Sequence, residues 1–402
     1  MKITQKSELE FIIIMASLMS LVALSIDTLL PAISYISTSI HIVNPKNNQL
    51  FITMIFLGLG FGQLISGPLS DSFGRKPVIY VGFIVFTFAS IICVLANSLE
   101  MMIVGRLLQG IGLSAPRTIS IAMVRDRFSG NYMAKVMSFI VVIFILVPVI
   151  APALGKLMLD FYGWRSIFYS QLVFGFFVMI WFWKRQPETL KLENKKKFKF
   201  SLFIDGTKEF LKHKNAVAFT LFSGFITGSF MVYLSASQVI FEQQYNLKEE
   251  FPFIFSGLAI SIGFATFLNG KLVLRLGMFK LVSIFTVVFT IIPIFYILLF
   301  FGENNPNIYI LLIFFGLQFF SIGFLFGNTR ALAMESIGHI AGVGAAINGF
   351  VSTIMAVPIA TFIGSFMKDR ALPLFIGFLV CGFLSLLLIV FLKFTEKEKI
   401  SF

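Results

Sequence analysis

Charge is scarce in this chain. Only 13% of its 402 residues are Asp, Glu, Lys or Arg, against 57% hydrophobic, and the mean hydropathy is +0.92. A soluble domain needs a polar shell, and this composition cannot supply one. Cysteine is scarcer still. Cys93 and Cys381 each lie inside an apolar run and are read as unpaired core residues, with no disulfide or metal site between them. The three histidines, His41, His213 and His339, have no metal-ligand spacing. A glycine-rich phosphate loop ending in Gly-Lys-Ser/Thr is missing, which excludes an ATP-driven pump with its own motor. With no Ser/His/Asp set in the apolar segments either, no enzymatic activity and no cofactor are expected. The N-terminus does not read as a cleavable leader, because Glu8 and Glu10 stand where a basic region belongs.

What is present is apolar segment after apolar segment, with Phe alone at 52 positions. A membrane-spanning helix needs roughly 20 apolar residues, and twelve such segments can be marked off. Six precede and six follow the one long polar stretch, Gln186–Lys214, which includes Lys195-Lys196-Lys197-Phe198-Lys199. The expected fold is therefore an all-α membrane protein of twelve transmembrane helices in two pseudo-symmetric six-helix halves. Residues 1–185 form the first half, 186–214 a basic cytoplasmic linker, and 215–402 the second half. Most of the 32 basic residues fall on one side of this arrangement, together with both termini. The other side holds only Lys46, Lys156, Arg165, Lys248, Lys368 and Arg370. The positive-inside rule then places both termini in the cytoplasm, in a bacterial inner membrane. The net charge of +13 is accounted for by a linker facing anionic lipid, and no folded basic face for nucleic acid is visible.

The link between the second and third segments reads Gly67-Pro68-Leu69-Ser70-Asp71-Ser72-Phe73-Gly74-Arg75-Lys76-Pro77. Gly67-Pro68 is expected to let the second helix end against a close neighbour. Gly74 permits a tight turn, and Arg75-Lys76 supply charge on the cytoplasmic side. This pattern resembles the signature loop of the major facilitator superfamily: glycine, three residues, an acid, then glycine and paired basics. Ser72 stands where that family usually has a basic residue. The resemblance implies that Asp71 locks an outward-facing state by pairing with Arg125 at the inner end of the fourth span and with the start of the eleventh. A helix N-terminus attracts an acid through its dipole.

Further motifs narrow the resemblance. Ser25-Ile26-Asp27-Thr28-Leu29-Leu30-Pro31-Ala32 and Gly105-Arg106-Leu107-Leu108-Gln109-Gly110 are similar to the first- and fourth-span motifs of the twelve-span drug–proton antiporters. Gly163-Trp164-Arg165-Ser166-Ile167-Phe168-Tyr169, Pro187-Glu188-Thr189-Leu190 and Gly338-His339-Ile340-Ala341-Gly342 resemble the bicyclomycin/chloramphenicol-resistance branch. The fifth-span gating motif keeps Pro148, Pro152 and Gly155, while Ala151 and Lys156 replace preferred glycines. Such a fold lines its central cavity with spans 1, 4, 7 and 10 and works by rocking two halves about a midplane site.

Ionisable residues within spans are costly and usually functional. At about 1.5 Å per residue, Asp27 and Arg106 lie at similar depths, about 9 Å and about 8 Å from the outer ends of their spans. Asp27 is the expected proton carrier, with Arg106 tuning it; the alternative is a structural ion pair. Arg117 follows Pro116 on the same face as Arg106, and Arg330 is its rough counterpart, aligned within a turn of Asn328. Together with Gln318, these are the expected substrate contacts, although Asn269, Gln318, Asn328 and Asn348 could equally bridge helices. The expected function is a monomeric secondary transporter that exports drugs or other small molecules across the lipid bilayer in exchange for protons, using the proton gradient. The alternative is a dedicated carrier for an anionic metabolite, such as a polycarboxylate siderophore. A receptor or scaffold would need neither the intramembrane acid nor the loop.

Overall fold

The computed structural model describes residues 5–42, 44–128, 130–195, 200–302, 305–337, 341–367 and 369–400. The expected motif residues Gly338, His339 and Ile340, and Lys196–Lys199 of the linker, lie outside them. Fourteen α-helices follow one another along the chain, with no strand among the described residues. The chain divides into two compact units, Met1–Lys199 and Phe200–Phe402.

In the first unit, α1 (Gln5–Asp27) breaks into a 3₁₀ turn at Leu30–Ala32 before α2 (Ile33–Ser39), and the three pieces make one span. Then come α3 (Leu50–Phe73), α4 (Arg75–Leu95), α5 (Leu99–Arg127), α6 (Gly130–Tyr162) and α7 (Arg165–Arg185). In the second unit, α8 (Phe200–Lys212) precedes α9 (Lys214–Gln238), α10 (Phe251–Leu276), α11 (Met278–Phe300), α12 (Ile308–Glu335), α13 (Ala341–Gly364) and α14 (Leu372–Ile400). Eleven helical segments among the described residues are long and apolar enough to cross a bilayer, and α6 makes the twelfth span.

Packing repeats between the units. In the first, the fourth span α5 touches α1, α3 and α4, and α4 touches α7. In the second, α12 touches α9, α10 and α11, and α11 touches α14 in the same way. The outer faces are apolar stripes: on α4, Val81, Ile84, Phe88, Ile91 and Leu95 are all exposed at three- and four-residue spacing. A hydrocarbon surround accepts such a face and demands that backbone groups be satisfied within each helix.

Two expectations change. The second helix does not end at Gly67-Pro68; α3 runs on to Phe73, and a methyl group on Gly67 would meet nothing within 4 Å among the described residues. Proline lacks one donor, and a long span tolerates that loss without stopping. The polar stretch 186–214 is also more than a tether. It contains α8, where Gly206 lies close against Val343 of α13 and Phe210 is buried in a cluster with Ala216, Ile337 and Ile347.

Candidate functional site

The site begins where α1 breaks. Leu29 N donates to the Ile26 carbonyl at 3.3 Å, one residue short of α-helical register, which frees the Ser25 carbonyl. Arg106 on α5 takes it up through Nη1 at 3.0 Å. The same guanidinium donates from Nε to the Phe51 carbonyl at 2.8 Å and from Nη1 to Gln109 Oε1 at 2.8 Å. Gln109 Nε2 passes the network on to Ser90 Oγ at 2.8 Å. Arg106 is completely buried, and its Nη2 has no hydrogen-bond partner. A permanent cation has thus been threaded among α1, α3, α4 and α5 and held by neutral oxygens.

Asp27, two residues beyond the carbonyl that Arg106 holds, is 5% exposed. Among the described residues its carboxyl makes no hydrogen bond or ion pair, so the structural alternative of a direct Asp27–Arg106 pair is not what the structure has. Thr28 beside it accepts from Gln171 Nε2 of α7 at 3.1 Å. Gly155 of the expected gating motif lies so close that a methyl there would collide with the Thr28 carbonyl. Pro148 and Pro152 both lie inside α6, which continues through them. Arg106 and Gly155 therefore contact residues on either side of Asp27, Ser25 and Thr28.

The second feature is a knot of charge at the end of that unit where α3 meets α4. Gly74 joins the two helices with φ +112°, a conformation that L side chains rarely adopt. Arg75, 4% exposed, donates from Nη1 to Asp71 Oδ1 at 2.5 Å and to Ser70 Oγ at 2.7 Å. Its Nε and Nη2 grip Asp126 at 2.8 and 3.3 Å. Asp71 therefore pairs with Arg75 here and not with Arg125, which is exposed. Glu188 caps α4: its two carboxylate oxygens accept from Arg75 N and Lys76 N, each at 3.0 Å. An acid at a helix N-terminus satisfies orphan donors and complements the dipole. Thr189 Oγ1 closes the ring on Asp126 at 3.0 Å, and Lys76 Nζ donates to the Gln186 carbonyl at 2.6 Å.

The expected substrate contacts are not alike. Gln318 is fully buried and donates to the Phe289 carbonyl at 3.2 Å, bridging α12 and α11. Asn328 exchanges amide hydrogen bonds with Asn269 of α10, at 2.7 and 3.3 Å. Arg117 is half-buried, and Arg330 is exposed with its guanidinium 5.9 Å from the Phe326 ring.

Sequence reasoning missed Asp126, Glu188 and Gln109 as site residues, although all three lie in or beside quoted motifs. Gln109 was signalled by its i, i+3 spacing from Arg106. Asp126 and Glu188 carried no local signal, because their partner is distant in the chain.

The chain matches the model of the Major Facilitator Superfamily over residues 15–360. It belongs to that superfamily and is a multi-pass membrane transporter. It is similar to relatives that are named for bicyclomycin and multidrug resistance. It is 28% identical to a bicyclomycin resistance protein homolog of Haemophilus influenzae, covering 96% of this chain and 97% of that protein. It is 36% identical to the multidrug resistance protein MdtL of Salmonella paratyphi C over a shorter stretch, 34% of this chain and 35% of that one. Among solved structures, the partially occluded, inward-open xylose transporter XylE of E. coli aligns with a TM-score of 0.72 at 13% identity, covering 96% of this chain and 97% of that one. At that identity the likeness shows the fold alone.

Proposed function

We propose that this transporter exports drugs or similar small molecules in exchange for protons, with Asp27 as the proton carrier. The observation that carries the reading is a buried carboxyl at the break in α1 that has no polar partner among the described residues. A structural acid in a membrane is held by a cation or by several donors, whereas a proton carrier must be able to become neutral. Arg106, pinned to the Ser25 carbonyl two residues before Asp27, leaves that carboxyl unpaired and free to take up a proton. The names of the relatives, bicyclomycin and multidrug resistance, support export of drug-like cargo. Both termini and α8 lie in the cytoplasm of a bacterial cell by the distribution of basic residues, and the transporter acts as a monomer. Asp71, Arg75, Gly74 and Gly155 serve the change between inward- and outward-facing states. Arg117 and Arg330, the accessible arginines of the fourth and tenth spans, contact cargo of negative charge.

The test is Asp27→Asn in inverted membrane vesicles, read as dye or drug accumulation driven by an imposed pH gradient. The variant is expected to reach the membrane at wild-type levels and to lose gradient-driven transport. Unchanged gradient-driven transport would sink the proposal.

A further inference from the structure

The first unit carries an apolar groove that the proposed antiport does not use. It runs between α4 and α7 and has a volume of about 840 Å³. Tyr80, Ile84 and Phe88 of α4 line one side, and Val173, Phe177 and Trp183 of α7 line the other. Gly175 also lines it and is buried; a methyl group there would stand 3.4 Å from the rings of Phe83 and Phe86. Ile84, Phe88, Val173, Phe177 and Trp183 are all exposed, so the groove is open along its length.

Its length and its two ends decide what fits it. The eleven residues from Leu172 to Trp183 rise about 16 Å at about 1.5 Å per residue. One leaflet supplies half of a hydrocarbon core roughly 30 Å thick, so the groove matches one acyl chain in depth. The end at Phe88 and Leu172 has no charged residue in its lining.

The end at Tyr80 and Trp183 is basic. Lys76 Nζ donates to the Trp183 and Gln186 carbonyls at 3.3 and 2.6 Å and stands 6.0 Å from the centre of the Tyr80 ring. Two backbone carbonyls thus hold this ammonium in place without neutralising it. Lys184 follows Trp183 and is exposed. The acids at this end are engaged elsewhere. Glu10 pairs with Arg185, Glu188 accepts from the amides of Arg75 and Lys76, and Asp71 and Asp126 share the Arg75 guanidinium. Lys76 and Lys184 form no ion pair among the described residues. Lysine beside a span end attracts anionic lipid, and an adjacent Trp sits at headgroup level.

We propose that this groove binds one anionic phospholipid, with an acyl chain lying between α4 and α7 and the phosphate between Lys76 and Lys184. A zwitterionic lipid could place the same chain, but its headgroup carries a cation that offsets the attraction to two lysines. The site rests on neither Asp27 nor the cargo, so it stands or falls separately from the proposed antiport.

The experiment is native mass spectrometry of the full chain, stripped of lipid in detergent and then offered equal amounts of phosphatidylglycerol and phosphatidylcholine. The wild type is expected to retain one phosphatidylglycerol in preference to phosphatidylcholine. Lys184→Gln should lower that preference about fivefold, the factor one lysine contributes beside anionic lipid. Thr87 lines the groove from an exposed position, so Thr87→Trp puts a ring where the chain would lie. That variant should lower retention of phosphatidylglycerol about tenfold or more, the equivalent of two methylene groups left unburied. Should Thr87→Trp fail to fold, Val173→Trp fills the groove from the opposite side and is read in the same way. Equal retention of the two lipids by the wild type, or wild-type retention by the folded Trp variant, overturns the site. A preference unchanged in both Lys184→Gln and Lys76→Gln places the phosphate elsewhere and overturns it too.

Discussion

The link between α3 and α4 and the link between α10 and α11 share one geometry and differ in chemistry. Each is a single glycine between two spans, Gly74 with φ +112° and Gly277 with φ +78°. Around Gly74 stand Asp71, Arg75 and Lys76; the matching places around Gly277 hold Leu274, Met278 and Phe279. Leu274 is 88% exposed, whereas Arg75 is buried in a ring of acids. The fold requires only the turn, and it obtains that turn from glycine in both halves. Among the described residues the ion network stands at only one of the two links, so the turn itself does not require it.

Replacing Arg75 with Met, the residue at the matching place in the second half, is the sharpest way to break this comparison. The change strands Asp126 and releases the Asp71 and Ser70 contacts. Removing one partner of a buried charge cluster costs about 3–5 kcal/mol. A large fall in the melting temperature of detergent-purified protein is expected, together with loss of transport. A Met variant as stable as wild type would mean that the knot is expendable and that the two links are equivalent after all.

The halves also differ in what they add to close helix contact. In the first, α5 meets α3 through glycine: a methyl on Gly110 would strike the Ile55 carbonyl, and one on Gly58 the Leu107 carbonyl. In the second, a methyl on Gly323 of α12 would likewise strike the Ile262 carbonyl of α10, and aromatic rings add contact, with Tyr233 edge-on to Phe319 at 4.5 Å and stacked on Phe255 at 5.8 Å between centroids. Close backbone approach and ring packing are alternative sources of contact where lipid competes equally for apolar surface. Gly110→Ala is therefore expected to cost about 1–3 kcal/mol by overpacking. Gly316→Ala on α12, where a methyl would meet nothing within 4 Å among the described residues, should be neutral or slightly stabilising. Thermal melts of the two variants side by side would check this, and equal effects would erase the distinction.

The smallest effect concerns α8. The Glu209 carboxyl is held below its usual range, first by the hydrogen bond from Lys212 at 3.0 Å and then by the Lys212 charge. His213 adds a contact at 3.4 Å. A depressed carboxyl contributes stability above its unfolded-state value and loses it as pH falls through the folded-state value. Glu209→Gln should thus melt slightly below wild type at neutral pH, and the gap should close on acidification. A gap that widens in acid would reverse the sign.

Much of this molecule was legible in the sequence because bilayer physics is one-dimensional. A span must be apolar over a fixed length, and its flanking charges follow the membrane, so the spans are visible as composition. Asp27 and Arg106 are expected at similar depth from helix rise; Arg106 reaches the Ser25 carbonyl two residues before Asp27, and Gly155 packs on Thr28 just after it. The pairing of Asp71 was less legible. Arg75 and Arg125 offer the same charge, and only the turn at Gly74 with the approach of α5 selects Arg75 and brings Asp126 to it. Glu188 lies 113 residues from the backbone amide it caps, so no local pattern could announce it.

By itself, then, the sequence determined that the chain crosses a membrane repeatedly and which few polar residues must be buried at a cost. Those facts follow from the free energy of transferring each side chain into hydrocarbon, which is a property of the residue. The tertiary structure decided partners: that Arg106 is held by carbonyls and not by Asp27, and that Arg75 gathers two acids. A hydrogen bond or ion pair belongs to two groups at once, and only the packing of helices sets the distance between them.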